Sequence, residues 1–169
     1  MELVELGPLS PAEQAQLEGD ELNPWGTTGA ELEWRAKDHH LAVRAPDGRL
    51  VAAAGWLLTE VEVGGERVPV VGIGGVIVAA SRRGQGHGRR VIDGVIDRAK
   101  TQGAEIALLF CQDNRVELYA RRGFLRVKEP VQVEQSRGPL QMPMNTMWRP
   151  LRDGAELPSG PLQLAGRPF

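Results

Sequence analysis

The chain has 169 residues, of which 41% are hydrophobic and 25% charged, and its formal net charge is -2. This length suits one domain with one core, and the composition argues against a disordered or fibrous protein. A pI near 6.0 provides no electrostatic drive toward nucleic acid or an anionic membrane, and a single cysteine excludes an internal disulfide.

The N-terminus lacks the features of a secretory signal, because residues 1–6 carry acidic rather than basic side chains and no apolar run follows them. The longest weakly polar stretch, residues 68–80, contains proline and glycine and is shorter than the roughly 20 residues that span a bilayer. We therefore expect a cytoplasmic protein.

Two helices are predicted near the N-terminus, in an acidic part of the chain. Ser10-Pro11-Ala12-Glu13 has the spacing of a capping box with proline at the first helical position, which predicts a helix to about Glu18. A second short helix is predicted over about Gly29–Lys37. Residues 11–38 contain seven acids and two bases, a local net charge of -5.

Three strands in meander order are predicted next. His40–Ala45 and Leu50–Val63 flank Pro46-Asp47-Gly48-Arg49, in which Asp-Gly is typical of a hairpin turn. Gly64-Gly65 then turns the chain into Val68–Val78.

A parallel strand-helix-strand unit follows. Apolar residues at helical spacing predict an amphipathic helix that ends at Gly103: Val91, Ile92, Val95, Ile96 and Ala99. Ile106–Cys111 is a continuous apolar run, typical of a buried strand beside a crossover helix.

The C-terminal third predicts shorter elements. Asn114 or Asp113 can cap a further helix that runs to about Arg122. Phe124–Val127 and Met142–Trp148 are predicted strands around a polar loop. The tail, residues 150–169, is expected to pack irregularly.

A glycine-rich loop between strand and helix predicts an anion-binding site. In Arg83-Gly84-Gln85-Gly86-His87-Gly88, free main-chain N–H groups and the helix N-terminus favour a phosphate group. The spacing fits neither the dinucleotide-binding fingerprint nor a P-loop, which favours the pyrophosphate of another cofactor. The alternative is a tight polar turn with solvated arginines.

Two motifs resemble the acetyl-CoA signature of the GCN5-related N-acetyltransferases (GNAT). They are Val76-Ile77-Val78 followed by Arg82–Gly88 and, about 30 residues on, Leu118-Tyr119-Ala120-Arg121-Arg122-Gly123-Phe124. The resemblance covers about residues 70–124. The C-terminal layout is more weakly similar to the aminoglycoside 2'-N-acetyltransferase branch.

The resemblance implies an α/β fold of the GNAT type. Its mixed, mostly antiparallel sheet would have six or seven strands and about four flanking helices. We expect one acetyltransferase domain over residues 1–169.

The resemblance also implies an acetyl-CoA site. Val76, Ile77 and Val78 would offer main-chain hydrogen bonds to pantetheine where their strand splays from its neighbour. The pyrophosphate would contact the loop residues Arg83, Gly84, Gln85, Gly86, His87 and Gly88. Gln112 stands where many members have an asparagine that touches the cofactor, and Asn114 follows two positions later.

The implied chemistry centres on Tyr119 and the fourth strand. Tyr119 matches the residue that protonates the departing CoA thiolate in many members, the alternative being a packing tyrosine. Gly72, Gly74 and Gly75 suit a bulge whose N–H groups would stabilise the oxyanion. Many members also place a glutamate on this strand to deprotonate the amine, but Gly72 and Gly74 occupy that stretch here. The base must therefore come from elsewhere, for example from Glu33 through water, or the amine must arrive neutral.

Glu33 and Trp34 are our candidates for contact with the acceptor, against the alternatives of a solvated acid and a tryptophan packed on the sheet. His39 and His40 point to opposite faces of a strand, so no metal site is expected. Cys111 is a weaker candidate nucleophile.

We therefore expect acetyl transfer from acetyl-CoA to a primary amine, with no metal. The negative charge of residues 11–38 favours a small cationic amine, polyamine- or aminoglycoside-like, as the acceptor. The alternatives are a non-catalytic acyl-CoA-binding regulatory domain and a protein or peptide N-acetyltransferase. The sequence leaves a homodimer open.

Overall fold

The computed structural model describes residues 1–19, 21–22, 24–25 and 31–169. In these ranges ten strands and three α-helices follow one another: β1 (Glu2–Leu6), α1 (Pro11–Glu18), β2 (His39–Arg44), β3 (Leu50–Val63), β4 (Glu66–Val78), α2 (His87–Ala99), β5 (Ile106–Cys111), α3 (Val116–Ala120), β6 (Leu125–Arg126), β7 (Val131–Val133), β8 (Leu140–Gln141), β9 (Asn145–Pro150) and β10 (Leu162–Leu164).

All ten strands belong to one mixed sheet. Its order is β6-β9-β5-β4-β3-β10-β7-β8, with β2 also paired to β3 and β1 to β2. The parallel pairs are β4–β5 and β7–β10, and the others are antiparallel. The predicted mixed, mostly antiparallel α/β class is confirmed, and α2 is the crossover that makes β4 and β5 parallel. The strand count exceeds the predicted six or seven because β1 and several two- or three-residue C-terminal strands add to it.

The N-terminal helix confirms its capping box. The Ser10 hydroxyl accepts a hydrogen bond from the Glu13 N–H at 3.2 Å, and the Ser10 N–H donates to the Glu13 carboxylate at 2.9 Å. Helix α1 ends at Glu18, as predicted, and buries Leu17 against the sheet.

The second predicted helix is wrong over its described part. Gly29 and Ala30 lie outside the described residues, and residues 31–38 are not helical. The Arg35 N–H instead donates to the carbonyl of Pro168 at 2.6 Å, and the Glu33 N–H donates to the Gln135 side chain at 2.7 Å. These partners, more than 100 residues away, take the donors that a helix would use.

Three short C-terminal features also differ from expectation. Residues 113–115 form a 3₁₀ turn without a side-chain cap, and α3 beyond it has five residues. The tail is not wholly irregular, because β10 pairs with β3 and β7. Phe169 closes it as a side chain only 2% exposed.

Helices cover both faces of the sheet. The apolar side of α2 packs on one face, whereas α1 and the C-terminal tail cover parts of the other. Helix α2 approaches β2 closely because residue 94 is glycine, and a Cβ built there would lie 2.2 Å from the Leu41 Cδ2 atom.

We predict that Gly94→Ala lowers the free energy of unfolding by about 1–3 kcal/mol, because overpacking outweighs the better helix propensity of alanine. Urea unfolding measures this loss. The same change in a Leu41→Val background should cost less, since valine lacks the δ carbons. Equal costs in both backgrounds would show that this contact does not set the helix position.

Candidate active site

The first feature of the site is a gap between two central strands. β4 and β5 pair only over Val70–Ile73 and Ile106–Leu109, although both strands continue beyond these residues. Their carboxyl ends therefore part, and the splay that we expected at Val76–Val78 is present. Such a cleft leaves main-chain groups of β4 available to a ligand.

A bulge lies where the strands part. In the β3–β4 ladder, Ala53 pairs with Ile77 and Gly55 with Gly74, so Gly75 and Val76 both oppose one residue of β3. Gly75 has φ 60°, a left-handed conformation that favours glycine. Of the three glycines predicted to suit a bulge, Gly75 is the one that forms it.

The other two glycines make room for the tail. A Cβ at Gly72 would lie 2.7 Å from the Phe169 ring, and a Cβ at Gly74 would lie 2.8 Å from the Phe169 main chain. The Phe169 ring also packs against Phe110, with ring centres 5.1 Å apart. This stretch of β4 is thus covered by residue 169.

The glycine-rich loop has the form of an anion site. The N–H groups of residues 85–89 find no main-chain acceptor within the described ranges. Gly86, with φ 83°, precedes the first residue of α2. The His87 Nε2 atom is buried and has no hydrogen-bond partner in the described part of the chain. Free donors at a helix N-terminus favour a phosphate.

Two predicted cofactor residues contact the acidic N-terminal segment. The Arg83 guanidinium donates to both Glu21 carboxylate oxygens, at 2.8 and 2.5 Å, and to the Val78 carbonyl at 3.2 Å. The Gln112 amide donates to the main-chain oxygen of Trp25 at 3.2 Å. Asn114 is exposed. Side-chain contact of Arg83 or Gln112 with a cofactor therefore requires exchange of these bonds.

Tyr119, the predicted proton donor, is buried and protonated. Its side chain is 7% exposed, and its ring meets Phe124 edge-on with centres 5.9 Å apart. Burial raises the pKa of the Tyr119 hydroxyl to about 12, so the group keeps its proton at neutral pH. The hydroxyl makes no hydrogen bond to a described residue.

Cys111, at the end of β5, is unsuited to nucleophilic catalysis. Its thiol contacts the Met147 sulfur at 3.6 Å. Burial raises the pKa of the thiol to about 11, and a cysteine attacks as the thiolate.

A cavity of about 270 Å³ opens beside the bulge, on the α1 side of the sheet. Its wall combines one carboxylate, two indole rings and three cationic or imidazole groups: Glu18, Trp25, Trp34, Arg35, Lys37 and His40. The Glu18 carboxylate accepts hydrogen bonds from the Gln14 amide at 2.7 Å and the Trp25 indole at 3.3 Å. Gly75, the bulge residue, lies in the same wall.

Lys37 crosses a trough of glycines to reach the bulge. A Cβ at Gly55 would lie 2.8 Å from the Lys37 Cβ and Cγ atoms, and one at Gly74 would lie 3.0 Å from Cε. A Cβ at Gly75 would lie 3.5 Å from the Lys37 Nζ atom. Burial lowers the pKa of this amine to about 8.

His40 lies beside Lys37 in a defined tautomer. Its Nδ1 atom is 2.9 Å from the Gly7 carbonyl, so Nδ1 carries the proton and Nε2 is the acceptor. Burial lowers the pKa of His40. The sequence analysis did not identify Lys37 and His40 as neighbours of this cavity. The signal it could have used is Gly55, because a glycine inside an apolar strand indicates that another group packs closely there.

Glu33 and Trp34, the predicted acceptor residues, are separated by the structure. Trp34 lines the cavity, whereas Glu33 is outside its wall. The Glu33 carboxylate accepts from the Ser136 N–H at 2.8 Å and pairs with Arg167 at 3.2 Å. Hydrogen bonds from Ser136 lower the pKa of Glu33. Contact between Glu33 and an amine stays a prediction.

In the part of the chain that the structure describes, no three His, Cys, Asp or Glu side chains cluster as metal ligands would. None of the described helices has the length and apolar character needed to span a bilayer.

The sequence of residues 21–127 matches the family of the acetyltransferase (GNAT) domain. No curated protein matches the chain in sequence.

Solved structures share the fold. A GNAT family N-acetyltransferase (YhbS) from Escherichia coli in complex with CoA is 17% identical, with a TM-score of 0.61 over 96% of this chain and 89% of that one. The ribosomal-protein-S18-alanine N-acetyltransferase from Escherichia coli is 15% identical, with a TM-score of 0.56 over 94% and 99%. A GCN5-related N-acetyltransferase from Kribbella flavida is 23% identical, with a TM-score of 0.53 over 74% of this chain and 34% of that protein. The chain thus spans about a third of the Kribbella flavida protein's length.

We predict that Lys37→Met stabilises the protein at pH 7. Because folding lowers the pKa of Lys37 from 10.5 to about 8, the protonated form opposes folding below pH 8, and this penalty disappears as the pH rises from 8 to 10.5. This change in pKa corresponds to about 3 kcal/mol, and about 1 kcal/mol shifts the Tm of a domain of this size by about 2–4 °C. The Tm of the variant should therefore exceed that of wild type by several degrees at pH 7.

Thermal unfolding of both proteins from pH 7 to 10.5 checks this prediction, and the Tm difference should shrink across that range. Lys100→Met, at an exposed lysine, serves as the charge control. A Tm difference that does not change with pH would contradict the buried ionisation of Lys37.

Proposed function

The chain belongs to the GNAT acetyltransferase family, and on that premise we propose that it transfers the acetyl group of acetyl-CoA to a primary amine held in the cavity beside Gly75. The observation that carries the proposal is that several site elements lie together at the carboxyl ends of β4 and β5. The parted ends of β4 and β5, the bulge and the anion-type loop meet there, and Tyr119 follows β5.

Acetyl-CoA supplies an activated thioester, and the described residues fit its parts. Val76–Val78 lie beyond the part of β4 that pairs with β5, and their main-chain groups on the side of the gap would bind pantetheine. The donors of residues 85–89 would bind the pyrophosphate. Arg83, Gln112 and Asn114 would add side-chain contacts once the bonds from Arg83 to Glu21 and Val78 and from Gln112 to Trp25 are exchanged.

Main-chain groups of the bulge and the Tyr119 side chain would perform the chemistry. N–H groups at Gly75 and Val76 would stabilise negative charge on the carbonyl oxygen. Tyr119, protonated because it is buried, would donate its proton to the sulfur. Its edge contact with Phe124 holds the ring in position.

The cavity supports a small amine that carries positive charge. Glu18 offers a carboxylate already oriented by two hydrogen bonds, and Trp25 and Trp34 offer indole faces that attract cations. Arg35, in the same wall, is 4.0 Å from the Asp38 carboxylate, which offsets its charge. Lys37, the other cation of the wall, opposes such an amine only while it is protonated, below about pH 8. A polyamine- or aminoglycoside-like amine would therefore bind against Glu18 and the two indole rings when Lys37 is neutral.

The cofactor site can be tested at Gly86. We predict that Gly86→Val weakens acetyl-CoA binding at least about tenfold in calorimetry, because a side chain there blocks close approach of the phosphate. Gly103→Val is the matched control: its φ is 85° against 83° for Gly86, and a Cβ at either position meets nothing within 4 Å. Equal loss in both variants would mean that backbone strain, not the phosphate site, is responsible.

The reaction can be tested by free-thiol release from acetyl-CoA with polyamines, aminoglycosides, amino acids and peptide N-termini. Tyr119→Phe keeps the ring and should lower kcat by about 10²- to 10⁴-fold with little change in acetyl-CoA affinity. Turnover of cationic amines above all others supports the proposed acceptor class. Turnover of peptides alone would identify a peptide N-acetyltransferase, and release of no thiol with any amine would leave a protein that only binds acyl-CoA.

A further inference from the structure

The proposed reaction needs a group that removes a proton from the amine, and β4 offers none beside the bulge. Gly72 and Gly74 have no side chain, and Phe169 fills the space above both. An acid–base group must therefore reach the bulge from another part of the chain.

Lys37 is placed to do so. Its stem lies across Gly55 of β3 and Gly74 of β4, which are partners in the ladder. The contacts are close enough that a Cβ at either glycine would meet the lysine at 3.0 Å or less. Because neither glycine has a side chain, the Lys37 stem packs directly on their main chain, and the Nζ atom lies next to Gly75.

We propose that Lys37 is a catalytic residue, the general base that takes a proton from the amine as it attacks the thioester beside Gly75. This inference rests on the proposed acetyl transfer and names a residue of that same site.

The proposed step balances in atoms and protons. The amine nitrogen forms a bond to the carbonyl carbon as the C–S bond breaks. One amine proton passes to the neutral Nζ of Lys37, and the sulfur takes the Tyr119 proton. Lys37 then loses its proton and Tyr119 regains one, through solvent, so the net products are the amide and the free thiol.

The surroundings keep Lys37 able to act as a base. Burial lowers the pKa of Lys37 to about 8, so a useful fraction is neutral near neutral pH. The titratable groups in the same cavity wall are Glu18 from α1, Arg35 from the preceding segment and His40 from β2. The main-chain oxygen of Phe169, from the tail, also lies against Gly74 near the lysine stem.

His40 and Glu33 are less well placed. The His40 Nε2 atom would meet a Cβ on Gly55, one strand short of β4. Glu33 lies outside the cavity wall and is bonded to Ser136.

The test is the pH dependence of kcat/KM between pH 6.5 and 9.5 with the best amine found. The wild-type plot of kcat/KM against pH should bend near pH 8, where Lys37 titrates. The ionisation of the amine substrate adds a separate bend at the pKa of that amine. Lys37→Met should lower kcat at pH 8 by about 10²- to 10⁴-fold and lose the bend, while acetyl-CoA affinity in calorimetry is retained. Lys37→Arg, which keeps the charge but cannot act as a base at these pH values, should be equally impaired, and Lys100→Met should match wild type.

Several results would overturn the proposal. A wild-type kcat/KM that shows no change of slope with pH near 8 would overturn it, even before any variant is measured. A Lys37→Arg protein with near wild-type kcat would show that positive charge, not proton transfer, is required. A bend kept in Lys37→Met but lost in His40→Gln would assign the base to His40. An inactive wild type would overturn the proposed function together with this inference, whereas an active wild type with active Lys37 variants would overturn the inference alone.

Discussion

The separation of β4 from β5 beyond Ile73 and Leu109 is the constraint on which the rest of the site depends. Once the parallel ladder ends, the main chain of β4 on that side has no strand partner, and the bulge at Gly75 turns it further from regular pairing. The glycine loop follows β4 and Tyr119 follows β5, so both come to the same edge of the sheet. A ligand that completes the ladder and binds the loop would join these elements.

Missing side chains shape the site as much as those that are present. Gly55, Gly72 and Gly74 leave a strip of open backbone on one face of β3 and β4, which Lys37 and Phe169 fill from distant parts of the chain. A larger residue at any of these positions would displace one of the two. The sheet therefore determines where a polar amine and an aromatic ring can lie beside the cleft.

The acidic N-terminal segment and the glycine-rich loop are in direct contact. The acidic N-terminal segment and the basic loop are joined by the Glu21–Arg83 ion pair, and Trp25 is joined to Gln112. Residues expected to bind the cofactor thus also hold the segment that bears Trp25, one of the cavity's aromatic walls. On the proposed function, acetyl-CoA that takes Arg83 and Gln112 from these contacts would change the wall of the cavity.

The sequence alone determined the elements that rest on local patterns. The β2–β4 meander, α2, β5 and the anion-type loop were all predicted, because residue periodicity, Asp-Gly and Gly-Gly turns and glycine spacing act over a few residues. The tertiary structure decided the features whose partners are far apart. In residues 31–38, which are not helical, the N–H donors of Glu33 and Arg35 bond to Gln135 and Pro168, far along the chain. The place of Lys37 depends on glycines of two later strands, and a contact of that kind leaves no periodic signal near either partner.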